Sequence, residues 1–391
     1  MIAPTTTHTT KILLVQLRQL GDILLTTPLI PALTETFQEI ASRRPTCEAE
    51  TTGMGRLEIS FLTHSMGNVI LSDFPGLARV FTYSEKDTLV AQARLIQNLR
   101  QESFDYVVDC MNNPRSALLT FLSGGKVRLG FRSARRWAYH QRLEKSGSQV
   151  YIVKEKLRFA EALMERIWGE RFSEPFPPCV ARSKIPLPLV PFGPEDSAKA
   201  LNFFKKQSSQ NRLRFILSPT HRHSVRLWPL ERFARMADWL VTEATKMARD
   251  AGLEGAEVYW LWGPGEEPVV DRCLSLCSQP TTKLPPTSFR EMAAFIANAH
   301  MFLGNSNGPS HVAVSVATPS LQLHGPTDGR SWCPPVPEHR YVQGTSIQAI
   351  APETVQEAIT ALFPHILVSF HTHGRLKGID RSVQHFAPVE W

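Results

Sequence analysis

The sequence predicts an α/β protein made of two Rossmann-like domains facing a cleft. Short apolar runs alternate with longer amphipathic segments, the alternation occurs in each half of the chain, and a proline-rich stretch separates the halves. Apolar strands that alternate with helices are typical of a parallel sheet covered on both faces. A chain of 391 residues is long enough for two such domains.

The first half, residues 1–180, is predicted to form the N-terminal domain. Its opening run Lys11–Leu17 indicates a buried strand, and the helical pattern after it predicts one helix from Ile23 to about Ile40. Further strands are expected at Glu58–Leu62, Arg79–Tyr83, Tyr106–Cys110 and Val127–Phe131, with helices at Thr88–Arg100, Arg115–Leu122 and about Val153–Trp168.

Seven prolines in Glu174–Asp196 indicate an interdomain connection, because proline continues neither a helix nor a central strand. We place the linker at residues 181–196, the C-terminal domain at 197–363 and a weakly patterned polar tail at 364–391. The C-terminal strands are expected at Arg214–Ser218, Glu257–Trp262, His300–Gly304 and Ser320–His324, and the helices at Pro229–Thr245, Glu267–Cys277, Ser288–Asn298, Gly308–Val316 and Pro352–Phe363.

Composition narrows the class of protein. The chain is 42% hydrophobic and 20% charged, as in ordinary globular proteins, and no apolar window approaches the length of a spanning helix. The start, Met1–Thr10, lacks the features of a secretory signal, and six scattered cysteines suggest free buried thiols, so we expect a cytoplasmic protein. A net charge of +7 suits a polyanionic partner, which could be nucleic acid, an acidic membrane surface or a phosphorylated substrate.

Polar loops follow several predicted strands, at the sheet edge where open α/β sheets bind ligands. After the first strand, Gly21 permits close approach of a ligand to the backbone, and Asp22 begins the helix. Asp22 is either an N-cap or a general base at the mouth of the cleft.

The loop Pro219–Pro229 is basic and contains no acidic residue. Its cationic and imidazole side chains are His221, Arg222, His223 and Arg226. A basic loop in front of a helix N-terminus suits an anion, whereas the alternative is a solvated loop in which Trp228 packs into the core.

Three more loops contain small or polar residues at strand ends. Gly304–His311 has the outline of a phosphate cradle, although an Asx turn that caps the next helix would have the same composition. Carboxylates in Trp262–Glu267 suit ribose hydroxyls, or simply the N-terminus of a helix. His324–Asp328 is a further loop at the same edge and would otherwise be a plain turn.

The stretch Lys126–Arg142 has six lysine and arginine residues and no acid. It suits the phosphates of an acidic lipid acceptor or a membrane surface, and the alternative is a solvated surface loop.

Three segments together resemble one family. KILLVQLRQLGDILLTTPLIPAL resembles the opening of the family 9 glycosyltransferases, the bacterial ADP-heptose:lipopolysaccharide heptosyltransferases. RLWPLERFARMADWL is similar to their K-x-W-P-x-E-x-F segment, and FLGNSNGPSHVAVSVATPSLQLHGPTDGRSW resembles their GNDSGPxHxAAAxGTPxxxLxGPTDPxxW stretch. The order and spacing of the segments match from about Lys11 to Phe363.

This resemblance implies a GT-B fold, inverting transfer and no cofactor. The family's catalytic base falls on Asp22. The donor phosphate-binding residues that it implies are Arg226, Ser306, Asn307, Gly308, His311 and Thr327, and the carboxylate near the nucleoside falls on Glu266 or Glu267. Arg226 and Ser306 depart from the family's lysine and aspartate. Because these cations and N–H groups can replace a metal and no DxD pair is present, we expect metal-independent transfer.

The expected donor is ADP-heptose, and the expected acceptor is the acidic, phosphorylated inner core of lipopolysaccharide. Acceptor binding is assigned to Arg18, Gly21, Arg128, Arg132, Arg135 and Arg136. We expect a peripheral position on the cytoplasmic face of the inner membrane. Few aromatic residues interrupt the basic runs, so no nucleic acid partner is expected. The alternatives are a GT-B transferase that uses another nucleotide sugar, and a non-catalytic anion-binding protein of the same fold.

Overall fold

The computed structural model describes residues 9–42, 55–147, 149–172, 174–177, 184–207, 211–375 and 389–390. These residues divide into two compact units. The first unit contains the described residues up to Leu187, except residues 149–151, and it also contains residues 389–390. The second begins at Pro188 and takes in residues 149–151.

The first unit is an α/β unit. Its strands are β1 (Thr9–Gln16), β2 (Arg56–His64), β3 (Leu77–Tyr83), β4 (Tyr106–Asp109), β5 (Val127–Phe131), β6 (Gln141–Leu143) and β7 (Lys184–Ile185). Its helices are α1 (Leu20–Leu24), α2 (Leu29–Ser42), α3 (Asn68–Leu71), α4 (Leu89–Gln101), α5 (Pro114–Leu122) and α6 (Ile152–Arg171). The first six strands form a parallel sheet in the order β3-β2-β1-β4-β5-β6. Ile12, Leu13, Leu14 and Val15 of the central strand are fully buried, as expected for a strand covered on both faces.

The second unit repeats this design. Its strands are β8 (Arg212–Ser218), β9 (Gly255–Trp260), β10 (Thr282–Lys283), β11 (Met301–Asn305), β12 (Ser320–His324) and β13 (His339–Gln343). Its helices are α7 (Pro194–Gln207), α8 (Leu230–Trp239), α9 (Thr245–Asp250), α10 (Glu267–Leu276), α11 (Phe289–Ala297), α12 (Gly308–Ser315) and α13 (Pro352–Arg375), with a π-helical turn at Leu240–Ala244 between α8 and α9. The six strands are parallel, in the order β10-β9-β8-β11-β12-β13. A short strand, β14 (Val389–Glu390), pairs with β7 antiparallel in the first unit.

Both sheets have the Rossmann strand order. In this order the first three strands extend the sheet to one side, and the next three extend it to the other. The reversal lies between β1 and β4 in the first sheet and between β8 and β11 in the second. Ligands of open α/β sheets bind outside the carboxyl ends of the strands at this point. The loops after β1, β4, β8 and β11 are therefore the first places to examine for a functional site.

The helix predicted from Ile23 to Ile40 is wrong, because the chain forms two helices there. Residues 25–28 form turns between α1 and α2. Pro28 has no N–H to donate to Leu24, and the hydroxyl of Thr27 donates to the Leu24 carbonyl at 2.8 Å instead. The break leaves α1 as a single short helix directly after the first strand.

Two prolines lie in helices, although the prediction placed them in the linker and in the tail. α7 begins at Pro194, inside the predicted linker, because proline fits the first position of a helix. α13 continues through Pro364 to Arg375, into the predicted tail. Ile366 is fully buried, and burial of this apolar face compensates for the hydrogen bond lost at the proline.

Some predictions fall outside the described residues. These are linker residues 181–183, tail residues 376–388 and 391, and the thiols of Cys47 and Cys179. The cysteines that are described, Cys110, Cys273, Cys277 and Cys333, are free, as predicted, and Cys277 is half-buried rather than buried. Within the described ranges, every helix is too short or too polar to cross a bilayer.

Candidate active site

Asp22 lies in the first turn of α1, just beyond the carboxyl end of β1. The N-cap of this helix is Gln19, and no side chain caps it, so the interpretation of Asp22 as an N-cap is wrong. The Asp22 side chain is half-buried. Its carboxylate has no hydrogen bond or ion pair to another described side chain, which leaves it available to an incoming group.

Lys156 of α6 lies beside Asp22 and was missed by the sequence reasoning. It is only 3% exposed, and its ammonium donates to the Asp22 carbonyl at 3.0 Å and to the Thr26 hydroxyl at 2.6 Å. Burial lowers the pKa of Lys156, and the negative charge of Asp22 acts against that shift. The available signal was its helical spacing with the apolar residues Val153 and Phe159, which places this lysine on the buried face.

The loop after β4 is held by a buried carboxylate, Asp109. Its hydrogen-bond donors are the backbone N–H groups of Met111 and Asn112 and the hydroxyls of Ser116 and Tyr139. Burial raises the pKa of Asp109, and these hydrogen bonds act in the opposite direction. Asn112 has a left-handed φ of 58°, and its carbonyl accepts a 2.7 Å hydrogen bond from the Arg135 guanidinium. Asp109 is thus a structural residue that shapes this edge of the first sheet.

The residues predicted to bind the acceptor lie in different environments. Arg18 and Arg136 are exposed, and Gly21 and Arg135 are half-buried. The Arg128 guanidinium donates to the carbonyls of Gly125 and Ala138, at 3.0 and 2.8 Å, so its donors are used within the fold.

Two other cations of the basic stretch form ion pairs with acids outside it. Lys126 pairs with Asp105 at 2.7 Å, and Arg132 pairs with Glu144. The basic stretch therefore has somewhat less free charge than its sequence suggests.

In the second unit, asparagine side chains join the loop after β8 to β11. Asn305 is the buried last residue of β11. Its side chain accepts a hydrogen bond from the backbone N–H of Trp228 at 3.0 Å and donates one to the Pro219 carbonyl at 3.1 Å. Asn307 donates to the Thr220 carbonyl at 2.9 Å. These contacts fix the basic loop against the N-terminus of α12.

Asn307 and Ser310 form a reciprocal capping box at the start of α12. The Asn307 side chain is therefore committed to the helix end, as the Asx-turn interpretation predicted. Ser306 is half-buried, and its N–H donates to the Leu323 carbonyl at 3.0 Å. Gly308 is also half-buried, and it begins the helix.

Arg226 is exposed at the end of a 3-10 turn in the basic loop, and it has no ion pair with any described carboxylate. Two imidazoles of the second unit, His221 and His324, have a lowered pKa. Burial and then the charge of Arg226 lower the pKa of His221. Burial lowers the pKa of His324 to about 4, and Arg226 adds to the effect. Trp228 packs in the core, as the solvated-loop alternative predicted. Arg226 provides a positive charge with no carboxylate partner among the described residues.

The sequence left open whether Glu266 or Glu267 is the carboxylate near the nucleoside, and the geometry favours Glu266. Glu266 Oε2 accepts hydrogen bonds from the Thr220 hydroxyl at 2.7 Å and the Gly263 N–H at 2.9 Å. Glu267 instead pairs with Lys283 at 2.7 Å on the surface. Glu266 is therefore the carboxylate held beside the loop after β8.

The last two predicted donor residues lie further along the same edge. His311 is buried in α12, with its ring 6.0 Å from that of Trp332. Thr327 is half-buried in the loop after β12, next to Asp328, which pairs with Arg330 at 2.8 Å. Each predicted donor residue thus lies in a loop after β8, β9, β11 or β12, or in the helix that such a loop starts.

Two six-stranded parallel sheets in Rossmann order, with polar and cationic loops at their carboxyl edges, define the GT-B fold. A family model described as glycosyltransferase family 9 (heptosyltransferase) matches residues 92–359, more than half of the chain. The chain belongs to glycosyltransferase family 9.

Individual relatives are distant. The chain is 22% identical to lipopolysaccharide heptosyltransferase 3 of Escherichia coli over 338 residues, 80% of this chain and 83% of the relative. Among solved structures, a family 9 glycosyltransferase from Veillonella parvula matches with a TM-score of 0.70 and 15% identity, over 92% of this chain and 97% of that one. The E. coli ADP-heptose lps heptosyltransferase II matches with a TM-score of 0.65 and 18% identity, over 92% and 99%. These structural matches establish the fold.

Proposed function

We propose that this protein transfers a heptose from ADP-heptose to the inner core of lipopolysaccharide, with inversion at the anomeric carbon. The observation that carries the proposal is a pair of unpaired charges at sheet edges: the Asp22 carboxylate after β1 and the Arg226 guanidinium after β8. The names of the relatives support the donor and the acceptor class, since one is a lipopolysaccharide heptosyltransferase and another an ADP-heptose heptosyltransferase.

In the proposed reaction an acceptor hydroxyl attacks the anomeric carbon of the heptose. A new C–O bond forms as the bond to ADP breaks, and Asp22 accepts the hydroxyl proton. General base assistance of this kind contributes about 10²–10⁴-fold to the rate. ADP leaves with the bonding electron pair, so negative charge increases on its phosphates.

Groups of the second unit bind the donor and stabilise the leaving ADP. Arg226 pairs with the phosphates, and the N–H groups at the start of α12 add their dipoles, because a helix N-terminus attracts negative charge. Ser306, Asn307, Gly308, His311 and Thr327 complete this phosphate-binding set. Glu266, held by Thr220, accepts hydrogen bonds from the ribose hydroxyls. No step in this scheme requires a metal ion.

The acidic acceptor is bound near the carboxyl edge of the first sheet. Arg18, Arg135 and Arg136 supply charge for its phosphates, and Gly21 allows close approach beside Asp22. Arg128 and Arg132 support the shape of this surface rather than binding directly, because their guanidiniums are already occupied.

We assign the contact with the inner membrane to an aromatic and basic surface formed by Leu118, Phe121, Arg136 and Trp137. Trp137 is 50% exposed and Phe121 44%, and their rings lie 5.5 Å apart in an edge-on arrangement. Exposed tryptophan beside arginine is suited to the interface of an anionic bilayer. The protein would then act at the cytoplasmic face of the inner membrane as a peripheral enzyme.

The decisive experiment compares purified protein with ADP-heptose and with UDP-sugars, using lipopolysaccharide core that lacks its terminal heptose as acceptor. We expect transfer of one heptose from ADP-heptose, seen as a mass increase of the core, and the same rate in EDTA. ADP should also raise the melting temperature more than UDP does. Transfer only from a UDP-sugar, or no transfer at all, would refute the proposed donor or the proposed activity, respectively.

A further inference from the structure

Lys156 is a buried charge that the reaction scheme above does not use. Lysine is almost never fully buried unless it is paired, because removal of an ammonium from water is costly. Its ammonium is held by two oxygens, the Asp22 carbonyl at 3.0 Å and the Thr26 hydroxyl at 2.6 Å. The Thr26 hydroxyl also donates to the Asp22 carbonyl at 2.8 Å, so the three groups form a closed triangle at α1.

The contacts of Lys156 link two elements that are distant in sequence. Lys156 is 134 residues from Asp22, and both lie in the first unit. Because α1 is only five residues long and is followed by turns, it has little helical stability of its own. A buried ammonium bound to the Asp22 carbonyl and the Thr26 hydroxyl therefore helps to fix the direction in which the Asp22 side chain points.

The charge of Lys156 also acts on the Asp22 carboxylate through space. The groups that act electrostatically on Lys156 are Asp22 and Cys110. Burial raises the pKa of the Cys110 thiol to about 12, so this thiol is neutral and Asp22 is the remaining counter-charge.

We propose that Lys156 is a positioning residue for Asp22: its ammonium holds α1 through the Asp22 carbonyl and the Thr26 hydroxyl, and so orients the Asp22 carboxylate. This inference rests on the proposed role of Asp22 as the base. It assigns to a residue of α6 the orientation of that base.

The test measures kcat and ADP binding for the parent protein, Lys156→Met and Lys156→Gln. Methionine removes both the charge and the donors, whereas glutamine retains a donor. In Lys156→Met kcat should fall about tenfold, because a base that is no longer oriented loses part of its contribution to the rate, and Lys156→Gln should recover part of this loss. Binding of ADP, measured by calorimetry, should stay within about twofold of the parent, since the proposed donor residues lie in the second unit.

Two control variants separate this role from a general effect. Lys154→Met removes an exposed lysine of the same helix and should leave kcat unchanged. His64→Gln removes the imidazole that precedes the adjacent turn and should also leave kcat unchanged.

A parent-like kcat in Lys156→Met, or a fall in kcat accompanied by an equal loss of ADP binding, overturns the proposal. If neither variant folds, Thr26→Val decides, because it removes the second oxygen that holds the ammonium, and a parent-like kcat in this variant overturns the proposal. Failure of the proposed function is distinguishable, because it would appear as normal turnover in Asp22→Asn.

Discussion

The Thr220 hydroxyl donates a 2.7 Å hydrogen bond to Glu266 Oε2, which joins the loop after β8 to the start of α10. The same oxygen accepts the Gly263 N–H at 2.9 Å. Glu266 Oε2 is thereby held in place. A carboxylate held by two donors is already oriented before a nucleoside binds, which lowers the entropic cost of binding.

Thr220→Val should therefore weaken ADP binding about tenfold, because a hydrogen bond to a charged group contributes about 1.5–3 kcal/mol. Thr220→Ser retains the hydroxyl and should bind ADP almost as the parent does. Glu267→Gln, which changes one of the two carboxylates that pair with Lys283, should also leave binding intact. The measurement is calorimetric titration with ADP, and equal affinity in the valine and serine variants would contradict the role of this contact.

Substitutions of Asp22 and of Arg226 should affect kcat and donor binding in different ways. Asp22→Asn keeps the shape of the side chain but removes the base, so kcat should fall by about 10²–10⁴-fold with donor binding nearly unchanged. Arg226→Ala should weaken donor binding about tenfold to hundredfold and also slow the chemical step, because the phosphates gain charge in the transition state. Donor titration and turnover are measured on both variants. Near-normal turnover of Asp22→Asn, or parent-like donor affinity of Arg226→Ala, would show that the assigned role is wrong.

Asn305 should be essential to the stability of the second unit. Asn305→Leu removes the hydrogen-bond partner of the buried backbone N–H of Trp228 and that of the Pro219 carbonyl. We therefore expect the free energy of unfolding to fall by about 2–4 kcal/mol. Asn298→Ala is the matched control, since Asn298 donates locally to the Ala294 carbonyl of its own helix. Urea unfolding followed by tryptophan fluorescence measures both. A loss no larger for Asn305→Leu than for Asn298→Ala would contradict this structural role.

The second unit should lose stability in mild acid. Burial lowers the pKa of His324 from 6.5 to about 4, so the unfolded chain binds a proton between these values and the folded chain does not. The free energy of unfolding should therefore fall as pH decreases from about 6.5 to about 4, by up to about 3 kcal/mol for this group. His339, whose pKa burial lowers to about 3, adds to the loss in the same range. His324→Gln should flatten the dependence of stability on pH, measured by urea unfolding at several pH values, and an unchanged slope would show that His324 is not responsible.

Binding to anionic vesicles should depend on Trp137 and Arg136. Trp137→Ala removes a half-exposed ring and should weaken binding severalfold, and Arg136→Gln should weaken it about fivefold, since an arginine near such a surface contributes about 1 kcal/mol. Arg132→Gln is the control, because Arg132 is already paired with Glu144. Vesicle sedimentation at increasing salt measures all three. Binding that does not respond to salt would contradict the assigned surface.

The fold could be predicted because its signals are local. Parallel strands buried on both faces are continuous apolar runs, such as Ile12–Val15, and each is followed by an amphipathic helix. Prediction failed where a few side chains changed the backbone, as at Thr27 and Pro28 between α1 and α2. It also failed at Pro364, where burial of the apolar side chains of α13 outweighs the local preference of proline.

The sequence by itself determined the two α/β repeats, the polar loops at strand ends and the residue types at the candidate site, because each is encoded within a short segment. Only the tertiary structure decided which carboxylate, Glu266 or Glu267, lies by the basic loop, and which arginines are free of partners. It also revealed Lys156, whose partner Asp22 lies 134 residues away. Burial and charge pairing depend on contacts between distant segments, and residue type alone does not specify them.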